Sequence, residues 1–275
     1  MGHEYFTGYG SLMKVGINVQ QVEFFMRNVR TRLPFRYGVA ELVSVPILHI
    51  KMRANVEGKP IDCYSADILP PKWFDKNPSK SYCDNVNDLI LSARIAADHF
   101  IKFRLHEMTP FLGLLRGCQT AINSCASRGL NGLTASHGCS LIERAMIDAI
   151  GKALGRSYFE VLSENLLGID LGVIHPQLVD FNLDDVLPKS PLEKIRIRHT
   201  VGLSDPFLKK DIRENERIND GFPVTLEEYI QNQRLSSFKV KVSGDLFADM
   251  KRLGEFSDLV SGIDYSLSLD GNEQF

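Results

Sequence analysis

The sequence predicts an α+β domain followed by a second region of parallel β/α units. Two long runs rich in Val, Ile and Phe, VGINVQQVEFFMRNV (about 16–30) and AELVSVPILHIKMRA (about 40–54), read as strands. Two later stretches carry apolar residues at helical spacing. Beyond about residue 191, short strand-like and helix-like segments alternate with the spacing of parallel crossover connections.

Taken in order, EGK at 57–59 is a turn and PIDCYSAD a third strand, so the first region is an antiparallel meander. TRLPFRYG (31–38) is expected as the loop between the first two strands. ILPPKWFDKNPSK follows the third and holds the single tryptophan, Trp73, expected as a loop anchor. In 84–106, Val86, Leu89, Ile90, Ala93, Ala97, Phe100 and Ile101 recur at helical spacing. A further helix is predicted to open on a capping box, Ser140 and Glu143. Its stripe runs Ile142, Ala145, Met146, Ala149, Ile150, Ala153, and Gly155 supplies the stop. Strands followed by helices give an α+β domain over 1–185.

The second region, 186–275, follows a proline-containing stretch. RIRHTVGL (196–203) is strand-like, and Thr225 with Glu228 caps a helix to about 234. SSFKVKV (236–242) is a strand, GDLFADMKRLGEF (244–256) a helix and GIDYSLSLDGN (262–272) a strand. In that last strand Ile263, Tyr265, Leu267 and Leu269 share one face, and Asp264, Ser266, Ser268 and Asp270 the other.

The 275 residues carry a formal charge of −2, which fits a globular protein and lacks the basic stripe of a nucleic-acid binder. Five cysteines without a C-x-x-C pair read as reduced thiols of a cytoplasmic protein, with Cys118, Cys125 and Cys139 expected as buried structural groups. Seven histidines show no zinc spacing. No apolar run is long enough to span a bilayer, so no membrane partner is expected. The opening MGHEYFTGYG lacks signal-peptide regions and, with Phe6, the myristoylation pattern. GYGS at 8–11 is not followed by a strand–helix phosphate loop.

FKVKV (238–242) places two lysines inside an apolar β-branched run. Strand alternation puts Phe238, Val240 and Val242 on one face and Lys239 and Lys241 on the other. The plain reading is a solvated lysine face. The sharper one is a site. If the β/α units are parallel, Lys241 and Asp270 lie near the C-terminal ends of adjacent strands, the edge where α/β sites assemble. A partly desolvated lysine beside another would have its pKa lowered towards neutrality, which suits a general base. An aspartate there could hold Mg²⁺. The combination suggests proton abstraction next to a carboxylate, with the enolate stabilised. Taken alone, K-x-K is common in exposed strands and D-G-N is common in turns.

From about residue 16 onward the sequence resembles the enolase superfamily, in its mandelate racemase and muconate-lactonizing branch. ERAMIDAIGKALGRSYFEVL is similar to the helix closing that family's capping domain, FKVKV to its K-x-K barrel strand and SLDGN to its D-x-N strand. The resemblance implies an α+β capping domain followed by a (β/α) TIM-type barrel. It implies that Lys241 is the acid/base catalyst and that Lys239 tunes it or contacts the substrate carboxylate. It further implies that Asp270 is a metal ligand and that Asn272 lines the substrate site. The 31–38 loop resembles the loop that closes over the substrate, with Arg36 a candidate anion contact. His199, on the first barrel strand, is expected to pack rather than to catalyse.

Family members carry further acidic ligands on the fourth and fifth barrel strands and another acid/base group later. Here three strands of an incomplete barrel and one ligand are expected, so the chain reads as the N-terminal portion of a larger protein, inactive alone. Mg²⁺ is expected only with the complete barrel. The implied partner is a small-molecule carboxylate, and a homo-oligomer is compatible. The alternative is a non-catalytic binding or assembly module. A doubly wound nucleotide-binding protein is disfavoured by the lack of a Gly-rich turn after the predicted parallel strands.

Overall fold

A computed structural model of the chain describes residues 15–37, 40–103, 105–213 and 217–272. GYGS at 8–11 lies outside the described residues. The chain divides into two compact units. The first holds the described residues up to Val29 with Pro46–Pro191, and the second holds Arg30–Val45 with the residues from Leu192 on.

β1 (Ile17–Tyr37), β2 (Ala40–Val56) and β3 (Lys59–Ile68) form a sheet in the order β1-β2-β3, of which Arg30–Val45 belongs to the second unit. β2 and β3 are antiparallel, from Ile47 opposite Ile68 to Val56 opposite Lys59. Glu57 and Gly58 turn the chain between them with positive φ at both, 51° and 79°. That is the left-handed backbone a two-residue hairpin needs and a glycine supplies without strain. Leu48, Ile50, Met52, Ala54 and Val56 alternate into the core, while Lys51 and Arg53 face outward to Asp62.

The buried face meets α1 (Tyr82–Lys102), α2 (Pro110–Ala126), α3 (Gly132–Leu154) and the short α4 (Tyr158–Ser163). α1 opens on a capping box of Ser81 and Asp84, and α3 closes on Gly155 at φ 64°. Where α3 passes α1, a Cβ on Gly138 would lie 2.4–2.6 Å from backbone atoms of Ser92 and Ala93. Gly138→Ala therefore has to push two helices apart. We expect a loss of about 1–3 kcal/mol in urea unfolding followed through Trp73, with Gly138→Val worse.

Two expectations are corrected, and one helix adds to those the sequence predicts. Ser140 does not cap α3: Asn131 does, accepting the Thr134 N–H at 2.8 Å. Ser140 lies inside the helix and donates to the His137 carbonyl. Burial of His137, Gly138 and Cys139 carries the helix back through a glycine-containing turn that propensity disfavours. α2 was not resolved as a separate helix from the sequence, because Gly113 and Gly117 break its apolar stripe. Those glycines make room for Leu105 and the Phe100 ring. Residues 31–37 are strand rather than loop. β1 is the sheet's edge strand, which tolerates Pro34 without its N–H.

His137 is 5% exposed, and burial lowers its pKa against the opposing pull of Asp67. The unfolded chain takes up this proton first as pH falls, so the first unit should lose stability below about pH 6.5. A smaller drop in urea midpoint between pH 7.5 and 5.5 for His137→Phe than for the wild type checks this.

In the second unit, β4 (His199–Val201), β5 (Ser237–Lys241) and β6 (Ser266–Asp270) form a parallel sheet in the order β4-β5-β6. α5 (Leu226–Gln233) and α6 (Leu246–Leu259) are the crossovers. Val201, Leu226, Phe238, Val240, Phe256 and Val260 make one buried cluster between sheet and helices. The expected capping box at Thr225 is present. Glu228 accepts the N–H groups of Val224 and Thr225 and pairs with Arg217. These donors, Val224 first, hold its carboxyl down at about 2. That stability is present above about pH 4.5 and is lost as pH falls towards 2.

Candidate active site

The face question raised by FKVKV has a geometric answer. Phe238 and Val240 are 1% and 0% exposed, packed under the helices. The two lysines point to the opposite face. Parallel register sets Thr200, Lys239 and Ser268 side by side in one row, and Lys241 beside Asp270 in the next.

Lys239 and Lys241 both place Nζ 2.8 Å from the same oxygen, Oδ2 of Asp270. Lys241 also donates to Oδ1 of Asn272. The Lys241 side chain is 2% exposed and the Lys239 side chain 22%. Asp270 Oδ1 accepts the Asn272 N–H at 3.0 Å. This is an Asx turn, closed by Asn272 at φ 49°, a conformation asparagine tolerates. The chain thus bends at the strand end and returns the amide to the lysine.

The Lys239 and Lys241 hydrogen bonds hold the Asp270 carboxyl well below the usual carboxylate range, against the effect of its burial. Its contribution to stability is present above the ordinary aspartate range and is lost progressively as pH falls below that range. Small side chains keep this face open: Ser237 and Ser266 bond each other beneath the lysines, and Ser268 neighbours Lys239.

Lys239, Lys241, Asp270 and Asn272 are therefore brought together. Arg36 is exposed on β1. His199 lies on the other face, its ring 4.8 Å from that of Tyr229. Cys125 and Cys139 are buried, Cys118 is half-buried, and all five cysteines are free thiols. Burial pushes the Cys63 thiol up to about 12.

Sequence reasoning missed Arg32. It forks onto Asp220 at 2.6 and 2.7 Å and donates to the carbonyls of Pro223 and Phe222. Partners almost two hundred positions away leave no local periodic signal, and Arg32 is one of four arginines between residues 27 and 36.

As a cation site the cluster is poorly matched. Two ammonium groups share the one carboxylate, so its net charge is positive, and the Asn272 oxygen is taken by Lys241. Among the described residues no three His, Cys, Asp or Glu side chains group to hold a metal ion. Mg²⁺ asks for several oxygen ligands in octahedral array, and these residues alone do not fit it. Calorimetry of the 275-residue chain should show no stoichiometric Mg²⁺ binding at micromolar concentrations. Tight binding would contradict this reading of the cluster.

No family profile and no curated protein matches the chain. Solved structures do. An enolase from Bradyrhizobium complexed with magnesium and mandelic acid is 17% identical, with a TM-score of 0.55, over 96% of this chain and 56% of its own. A dipeptide epimerase from Enterococcus faecalis complexed with Mg and a dipeptide is 13% identical, TM-score 0.57, over 94% and 55%. A muconate lactonizing enzyme from Pseudomonas fluorescens complexed with muconolactone is 16% identical, TM-score 0.54, over 94% and 54%. The likeness is one of fold. The chain spans about half the length of the structures it matches.

Proposed function

We propose that this chain supplies the acid/base lysines of an enolase-type enzyme that removes the proton α to a carboxylate, as in a racemase, epimerase, dehydratase or cycloisomerase. The observation that carries the reading is the pair of lysines at the C-terminal end of β5, held by Asp270 and Asn272 on the adjacent strand end. The likeness to racemase, epimerase and muconate lactonizing enzyme structures supports it.

In this reading the Lys241 ammonium first loses a proton to water, and its Nζ then accepts the proton from the substrate α-carbon. The C–H electron pair becomes the C=C bond of the enolate, and negative charge moves onto the carboxylate oxygens. The Lys239 ammonium stays beside it and offsets that charge. Asn272 positions Lys241 and borders the substrate. Asp270 belongs to a Mg²⁺ site only if further acidic residues join it, so the described chain alone is proposed to be inactive. The α+β part, 1–185, acts as the cap, and 186–275 as the first three strands of a barrel.

The test is turnover of chiral 2-substituted carboxylates, with Mg²⁺ present, by the protein. Lys241→Met should abolish turnover. Lys239→Met should raise KM or lower kcat while leaving fold and Lys241 in place. A Lys241→Met protein that turns over at the wild-type rate removes the proposal.

A further inference from the structure

The second unit holds a cavity of about 470 Å³ that the lysine site does not use. Leu33 and Phe35 of the hairpin tip form one wall, and Val224 and Leu226 at the start of α5 another. From β4, His199, Thr200 and Val201 line it, His199 and Val201 from the face that also carries Phe238 and Val240 and Thr200 from the row beside Lys239. Lys239 and Lys241 project from the opposite face, and none of Lys239, Lys241, Asp270 and Asn272 lines it. Its size and mixed lining are those of small-molecule sites.

The charged groups in the wall have one sign. Glu41, Asp205 and Asp211 contribute acidic side chains, and the described residues lining the cavity include no lysine or arginine. Arg252 adjoins the lining through the Asp205 carbonyl, 3.0 Å away, and Arg32 through the Tyr229 hydroxyl at 3.5 Å. The Arg32 charge is already matched by the two-point bond to Asp220. Asp205 and Asp211 are fixed in place because each also accepts backbone N–H groups, Asp205 from Gly202 and Asp211 from Phe207 and Leu208. His199 and Tyr229, tilted against each other at 4.8 Å, add aromatic faces. Burial keeps His199 towards its neutral form. Acidic side chains beside aromatic rings in an apolar-walled pocket attract an ammonium both by charge and by the ring quadrupole.

We infer that this cavity binds a small organic ammonium ion with an apolar body, at a site separate from the Lys239/Lys241 cluster. The apolar part fits between the hairpin tip and α5, and the ammonium faces Glu41, Asp205 and the His199/Tyr229 pair. The inference does not rest on the proposed proton-abstraction chemistry.

The full chain can be titrated with 2-phenylethylammonium, with its neutral analogue 2-phenylethanol and with the anion 3-phenylpropanoate. Binding is read from NMR shifts of the His199 and Tyr229 rings. The ammonium should give saturable shifts at both rings. The alcohol should bind more weakly, and the carboxylate should give none. Glu41→Gln, a change at an exposed side chain, should weaken the ammonium about two- to fivefold with no effect on the alcohol. Equal binding of all three probes, preference for the carboxylate, no saturable shift with the ammonium, or unchanged ammonium affinity in Glu41→Gln would each overturn the inference.

Discussion

Asp270→Ala is expected to destabilise the second unit by about 3–5 kcal/mol, the cost of removing one partner from a buried charge pair. The substitution strands two ammonium groups, one of them 2% exposed, and leaves Lys241 only the amide oxygen of Asn272. It also removes the Asx turn that holds Asn272. The reverse change is expected to be mild. Lys241→Met swaps the buried ammonium for an apolar chain of similar length and leaves Asp270 paired with Lys239, so stability should shift by about 1 kcal/mol or less. Amide hydrogen exchange across β5 and β6 separates the two outcomes. Protection there should collapse in Asp270→Ala and persist in Lys241→Met. Equal protection in both would mean that the cluster adds little to the fold.

The second large effect is expected at Phe238. Its side chain is 1% exposed, with ring centroids 5.3 Å from Phe256 and 6.5 Å from Tyr265 in edge-on arrangements. Its ring packs β5 against Phe256 of α6, and truncation leaves a cavity under the helices. Phe238→Ala should cost about 3–5 kcal/mol. Since Phe238 precedes Lys239 in the strand, the loss should also disorder the lysine face. A measured cost below about 1 kcal/mol would show that β5 is not the keystone of this unit.

The parallel part was legible because each of its signals is local. Alternation in FKVKV assigned the faces, the Thr225–Glu228 box placed α5, and the spacing of β/α units put Lys241 beside Asp270. The first region was less legible. Ser140 carries a capping pattern but lies inside α3, because long-range packing of Gly138 against α1 decides where that helix starts. α2 owes its glycines to Phe100 and Leu105, contacts that no window of sequence can show. Pro34 signals a loop by its own chemistry, yet it sits in an edge strand where its missing N–H costs nothing. Arg32 depends on partners in the other sequence region altogether.

The central claim is that Lys241 accepts a proton from the carbon next to a carboxylate, and isotope exchange tests it without knowledge of the final product. The protein is incubated in D₂O with Mg²⁺ and a panel of chiral 2-substituted carboxylates, mandelate and dipeptides among them, and deuterium at the α-carbon is read by mass spectrometry. The account predicts exchange into at least one acid. It also predicts a loss of about 10²–10⁴-fold in Lys241→Met, the usual weight of general acid–base catalysis, with hydrogen-exchange protection of β5 unchanged. Exchange that persists at the wild-type rate in Lys241→Met, or none with any carboxylate, would contradict it, and the second result would favour a non-catalytic binding module.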